Sequence, residues 1–100
     1  MAAWTYMLRC ADGSYYVGCT TNIDARMGDH MAGTFGGYTA SRRPVEMIWA
    51  DEFPAVHDAI AAERQLKGWS RAKKEALARG DFDGLPGLSG SAYKRAKGPE

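Results

Sequence analysis

The stretch "TYMLRCADGSYYVG", Thr5 to Gly18, decides the fold of this 100-residue chain. Trp4, Tyr6 and Leu8 alternate with Thr5, Met7 and Arg9. Beyond Ala11-Asp12-Gly13, the residues Tyr15, Val17 and Cys19 alternate with Tyr16 and Gly18. A period of two marks strands whose faces differ, and turn residues between two such runs make a β-hairpin. Two registers are open. A two-residue Asp-Gly turn sets Tyr6 and Tyr16 on opposite faces. A three-residue loop at 11–13, with Gly13 left-handed, pairs Tyr6 with Gly18 and makes the tyrosines diagonal neighbours on one face. Tyr15 is the phenol expected to pack, and Tyr6 and Tyr16 read as surplus to the core.

Outward from the hairpin, Thr21-Asn22-Ile23-Asp24 has the form of a capping box. Ile23, Met27 and Met31 then make a helical stripe that stops at Gly33, with Arg26 and His30 on a neighbouring face. Residues Thr34 to Arg43 are rich in Gly, Thr and Ser and read as a loop, and Val45 to Ala50 as a third strand. Pro54 is placed to open a second helix running to about Gly68, and Ser70 to cap a third that ends before Gly80. Strand, strand, helix, strand, helix, helix is too broken for a doubly wound sheet. It implies an α+β fold, sandwich-like, in which a small three-stranded mixed or antiparallel sheet is flanked by about three helices. Residues 1–79 are expected to form the domain, and 80–100, rich in Gly, Pro and Ser with Lys94, Arg95 and Lys97, a flexible basic tail.

At this length one domain is expected, too small for a deep core, so any substrate site lies near the surface. No segment approaches the roughly 20 apolar residues of a membrane span, and no basic stretch precedes an apolar one at the N-terminus. No membrane partner and a cytoplasmic location are expected. Cys10 and Cys19 lack the spacing of metal ligands and read as reduced, partly buried thiols. Thirteen Lys and Arg against twelve Asp and Glu leave the chain near neutrality, but the basic residues gather between Arg64 and Arg79 and at Arg42 and Arg43.

One residue breaks the core pattern. On the second helix, at about 100° per residue, Val56, Ala59, Ile60 and Leu66 define an apolar arc that includes Glu63. A carboxylate there has to be paired, as with Lys67 four residues on, bound to a metal, or set at the edge of the core. A single carboxylate on a rigid helix, completed by waters, is also how Mg²⁺ is held. Arg26 offers a planar fork of donors that fits a phosphate, one turn before the titratable imidazole of His30.

Together these residues resemble the GIY-YIG nuclease domain family, in its small single-domain bacterial branch, over about Ala3 to Leu77. The first motif falls on Trp4-Thr5-Tyr6, keeping the tyrosine, and the second on Tyr16-Val17-Gly18. The helix arginine maps to Arg26, the metal-binding glutamate to Glu63, and His30 to a site where members carry Tyr or His. "YTASRRPVEMIW", "EFP" and "AIAAERQLKGWSRAKKEAL" carry the signature of the small branch. The resemblance implies that both motif tyrosines share the active site, which selects the three-residue register.

It further implies a metal-dependent nuclease, structure-selective or weakly specific, that hydrolyses phosphodiester bonds by a one-metal mechanism. Glu63 would hold Mg²⁺ or Mn²⁺, and Arg26 would neutralise the phosphate. Tyr6, with Tyr16 and His30, would orient or deprotonate the attacking water. Arg42, Arg43, Lys67, Lys73 and Lys74 are candidate contacts to the backbone of nucleic acid, with DNA the expected polymer and DNA repair the expected setting. A protein partner is a candidate source of specificity. Many active relatives carry a lysine where this chain has Cys19, and no asparagine follows Asn22. These departures imply slow turnover. They keep open a second class, a catalytically weak nucleic-acid-binding module or a partner-dependent nuclease subunit.

Overall fold

The computed structural model describes residues 2–34 and 37–81. Strand β1 (Ala3–Arg9) and strand β2 (Tyr15–Thr20) form the hairpin, followed by helix α1 (Ile23–Ala32) and strand β3 (Glu46–Phe53). Helices α2 (Val56–Lys67) and α3 (Arg71–Arg79) complete the chain order. The sheet runs β2-β1-β3 and both pairings are antiparallel, which resolves the mixed-or-antiparallel alternative.

The hairpin adopts the three-residue loop. Tyr6 pairs with Gly18 and Leu8 with Tyr16. The Cys10 amide donates to the Ser14 carbonyl at 2.8 Å, and Gly13 between them has φ 86°, a left-handed conformation that costs a glycine little. Asp12 closes the loop by accepting from the Ser14 amide at 3.0 Å and its hydroxyl at 2.6 Å.

Because β1 alternates strictly, the sheet has two different faces. Ala3 and Met7, with Val17 and Phe53, bury against Ala59, Ala62 and Leu66 of α2 and Leu77 of α3. Thr5 on that face is buried as well, and its hydroxyl donates to the Ala59 carbonyl at 2.8 Å, fastening α2 to the central strand. Tyr6 and Leu8 face the other way, packing with Tyr16, Ile23, Met27 and Val45 beneath α1.

Several boundaries differ from the sequence reading. Asn22, not Thr21, caps α1, accepting from the Ala25 amide at 3.1 Å, while Thr20 Oγ1 receives the Asn22 amide. The four-residue stripe drifts off the buried face, so Met31 is 55% exposed and His30 takes the inward position. Strand β3 extends to Phe53 because its main-chain ladder with Ala3, Trp4 and Thr5 continues through the polar pair Asp51-Glu52. Pro54 precedes α2 rather than opening it, since Ala55 has extended angles and serves as the N-cap, which leaves Val56 exposed. The loop before β3 contains a 3₁₀ turn at Ala40–Arg42. Ser70 caps α3 through the Lys73 amide at 3.2 Å, and α3 ends at a left-handed Gly80, as expected. The proposed tail lies outside the described residues beyond Asp81. Among the described residues, no helix is long and apolar enough to cross a membrane.

Candidate active site

The edge strand β2 is the seam of the site. Register puts Tyr6 beside Gly18 and Tyr16 one diagonal away, with ring centroids 6.3 Å apart. Gly18 leaves the space that the phenols fill. A Cβ there would lie 2.6 Å from Tyr6 Oη and 3.1 Å from Tyr16 Cε2. The motif glycine is therefore required by close approach of side chains.

Helix α1 lays Arg26 and His30 over this surface. The His30 ring stands edge-on to both phenols, 5.6 Å from Tyr6 and 5.4 Å from Tyr16. Its Nε2 is 2.8 Å from Tyr6 Oη, and its Nδ1 is 2.7 Å from Thr39 Oγ1. All three residues are sealed from solvent, at 1% exposure for Tyr6, 0% for His30 and 1% for Thr39. The reading of Tyr6 as surplus to the core is thus corrected. Its ring is part of the core under α1, and its hydroxyl is accommodated because a buried imidazole pairs with it.

The electrostatics follow from that burial. Burial pushes the Tyr6 phenol up to about 12, opposed by a hydrogen bond from Arg26. Tyr16 is also raised, chiefly by burial, with Lys67 pulling it down and Glu63 pushing it up. His30 is lowered by burial and then by the Arg26 guanidinium, so it is a neutral imidazole at neutral pH. Both phenols are accordingly protonated in the protein alone.

Glu63 approaches β2 from the opposite side. Its carboxylate is 20% exposed, 3.1 Å from the Lys67 ammonium, and accepts from the Cys19 thiol at 3.5 Å. The ion pair weighed against a functional role exists, and both of its members act electrostatically on Tyr16. Burial and Glu63 both raise the Cys19 thiol, so the position taken by lysine in many relatives here holds a neutral donor. Arg26 reaches the Cys19 carbonyl at 3.5 Å, which ties α1 to the same strand.

The donor set suits a hard divalent ion bound in part by the protein. Among the described residues, no three His, Cys, Asp or Glu side chains group as a metal cage. Glu63 is one carboxylate on a rigid helix, and waters and phosphate oxygens can complete an octahedron around an ion there.

The predicted nucleic-acid contacts divide. Lys67 belongs to the site through Glu63. Arg42 is spent on structure, since its Nε donates to Asp12 at 3.0 Å, its Nη1 to the Tyr38 carbonyl at 2.9 Å, and its guanidinium lies 3.8 Å over the Tyr38 ring. That ring in turn stacks on Tyr16 with centroids 6.1 Å apart. Arg43 donates to the carbonyls of Ala40 and Ala32 beside the end of α1. Lys73 and Lys74 sit on α3, the helix that packs against the other face. Thr39 and Tyr38 were missed by sequence reasoning, although both belong to the "YTASRRPVEMIW" string.

The GIY-YIG catalytic domain model matches residues 2–76. A UPF0213 protein of Natronomonas pharaonis is 42% identical over 74 residues, which cover 74% of this chain and 87% of its own length. A UPF0213 protein of Streptococcus pneumoniae is 42% identical over 73 residues, 73% of this chain and 74% of its own. The solution NMR structure of the UPF0213 protein of Bacillus halodurans superposes with a TM-score of 0.54 at 37% identity, covering 86% of this chain and 89% of that one. The catalytic-domain model spanning residues 2–76, together with relatives at about 40% identity, places this chain in the GIY-YIG family, among its small UPF0213 members.

Proposed function

We propose that this protein is a metal-dependent nuclease that hydrolyses phosphodiester bonds of DNA, weakly specific for sequence and selective for polymer structure, with the cytoplasm as its compartment. The observation that carries this reading is the convergence of Tyr6, Tyr16, Arg26, His30 and Glu63 around one strand, β2. Backbone binding alone needs no half-buried carboxylate and no paired phenols.

Glu63 would hold Mg²⁺ or Mn²⁺, and such an ion, when bound, supplies positive charge to the scissile phosphate and the leaving 3′ oxygen. Arg26 presents its guanidinium to the phosphate, where charge grows as the reaction proceeds. That move takes it off the Tyr6 hydroxyl and opens the phenol to the attacking water. Tyr6 and the more exposed Tyr16 then orient that water. Lys67, with Lys73 and Lys74 on α3, supplies salt-sensitive backbone contacts. Arg42 and Arg43 act mainly by shaping the loop beside Tyr16. A protein partner is a further source of specificity.

The deciding experiment incubates wild type and Glu63→Gln with labelled single-stranded, duplex, flap and branched DNA in Mg²⁺, Mn²⁺ or EDTA at low salt. Cleavage should require metal and fall by at least ~100-fold in Glu63→Gln while binding persists. Equal binding with no cutting by either protein would favour a binding module, with Cys19 in place of a lysine as the reason.

A further inference from the structure

Thr39 is a fully buried hydroxyl, in a loop with no periodic reason to bury it, and it ends a chain of three buried polar groups that leads to the candidate active site. We propose that Thr39 is a positioning residue that holds His30 with its proton on Nδ1, so that Nε2 faces Tyr6 as a proton acceptor and His30 takes up the proton that leaves the attacking water. This inference rests on the hydrolytic reading above.

The hydrogen-bond inventory fixes the direction of the chain. A neutral imidazole carries one ring proton, so one of the two hydroxyls must donate to it and the other accept from it. Arg26 is all donor, and its hydrogen bond enters the oxygen of Tyr6. The phenolic hydrogen cannot point at a guanidinium and is directed instead to His30 Nε2, 2.8 Å away. His30 Nδ1 must then bear the hydrogen that Thr39 Oγ1 accepts at 2.7 Å. The threonine hydroxyl is a rotor, free to turn its own hydrogen to a backbone carbonyl of its turn. The charged and titratable groups around the ring are Arg26 and Asp29 on α1 and the two phenols on the sheet.

The step balances without a free phenolate. A proton passes from water to Tyr6 Oη as the Tyr6 proton passes to His30 Nε2, leaving a neutral phenol and an imidazolium. The water oxygen bonds to phosphorus while the bond to the 3′ oxygen breaks, and that oxygen takes a proton from solvent. His30 returns its proton by the same route. A phenol held well above neutrality thus serves as a relay, and the imidazole stores the proton.

The test reads the ring nitrogens directly. In ¹⁵N-labelled protein, long-range ¹H–¹⁵N spectra near neutral pH should show His30 protonated on Nδ1, with His57, whose exposed ring lies 3.5 Å from the Asp58 carboxylate, as an internal comparison. Thr39→Ser should keep that tautomer and the wild-type pH–rate profile. Thr39→Val, of equal size without the hydroxyl, should populate the Nε2–H form and lower kcat by roughly tenfold to hundredfold at unchanged KM. A wild-type ring protonated on Nε2, or loss of the Nδ1–H form in Thr39→Ser, would overturn the proposal even if Thr39→Val failed to fold. So would a tautomer change in Thr39→Val that left kcat untouched. The spectra need no substrate, so a wild type that cuts no DNA would sink the hydrolytic reading while the tautomer assignment is judged separately.

Discussion

The two faces of one three-stranded sheet are built on different rules. The face under α2 and α3 is almost entirely apolar, with Met7, Phe53, Leu66 and Leu77 closed together and a single buried threonine bond as a fastener. The face under α1 buries Tyr6, His30 and Thr39 in a hydrogen-bonded chain. Strand β1 contributes to both through alternate residues, so a shift of one position would exchange them. In so small a domain the two layers share one strand, and Glu63 and Lys67 of α2 reach the edge strand from the apolar side. The apolar face carries the stability that lets the other face hold polar groups out of water.

The largest expected effect tests that division. Leu77→Ala, which opens a cavity under α3, should lower unfolding free energy by roughly 2–5 kcal/mol in urea melts while leaving cleavage per folded molecule unchanged. A selective loss of cutting would show that the faces are not separable.

Next in size, pH should act most strongly through the buried Tyr6–His30 pair of the α1 face. The folded protein holds His30 below its ordinary 6.5, so the unfolded chain takes up the proton first as pH falls. Stability is fully present above 6.5 and is lost as pH descends toward the depressed folded value. Tyr6 gives the opposite limb. Its stabilisation is complete below 10.0 and is lost as pH rises through the window from 10.0 to about 12. That limb should amount to about 3 kcal/mol at most, at about 1.4 kcal/mol for each pH unit of that window. Melts across pH on His30→Gln and Tyr6→Phe should shrink the acid and alkaline limbs respectively, with Tyr16 and Cys19, also raised, leaving a residual alkaline limb in Tyr6→Phe. Leu77→Ala should lower the whole curve without changing its shape.

The smallest stability loss should come with a large functional one. Gly18→Ala forces a Cβ to within 2.6 Å of Tyr6 Oη, and a buried ring can yield only by displacing His30 or Tyr16. We expect about 1–3 kcal/mol of destabilisation and a fall in cleavage greater than the melt explains. Wild-type cutting by this variant would mean that the phenols need not be held as they are here.

The legibility of these faces in the sequence was uneven. Alternation and Asp12-Gly13 declared the hairpin, and Glu63 announced itself by breaking an apolar arc. Those signals are local and periodic, and the structure keeps them. His30 was legible as a titratable group one turn from Arg26 but not as a buried one, because its partners arrive from β1 and from a loop, neither of which a helical wheel can show. Thr39 was invisible for the same reason, since it sits among Gly, Thr and Ser residues with no period to violate. The end of β3 was misread because Asp51 and Glu52 interrupt the apolar run, although the main-chain ladder is indifferent to them.

Glu63 is already occupied on both oxygens, by the Lys67 ammonium at 3.1 Å and the Cys19 thiol at 3.5 Å. Any divalent cation taking this carboxylate must first part it from Lys67. The released ammonium becomes available to a phosphate, and a phosphate that captures it leaves the carboxylate open to the cation. Metal and polymer would then favour each other's binding by the same factor, since such coupling is reciprocal. On the proposed metal-dependent reading, a lysine weighed at the outset as the bland explanation for Glu63 would be the exchangeable counter-ion that links the two.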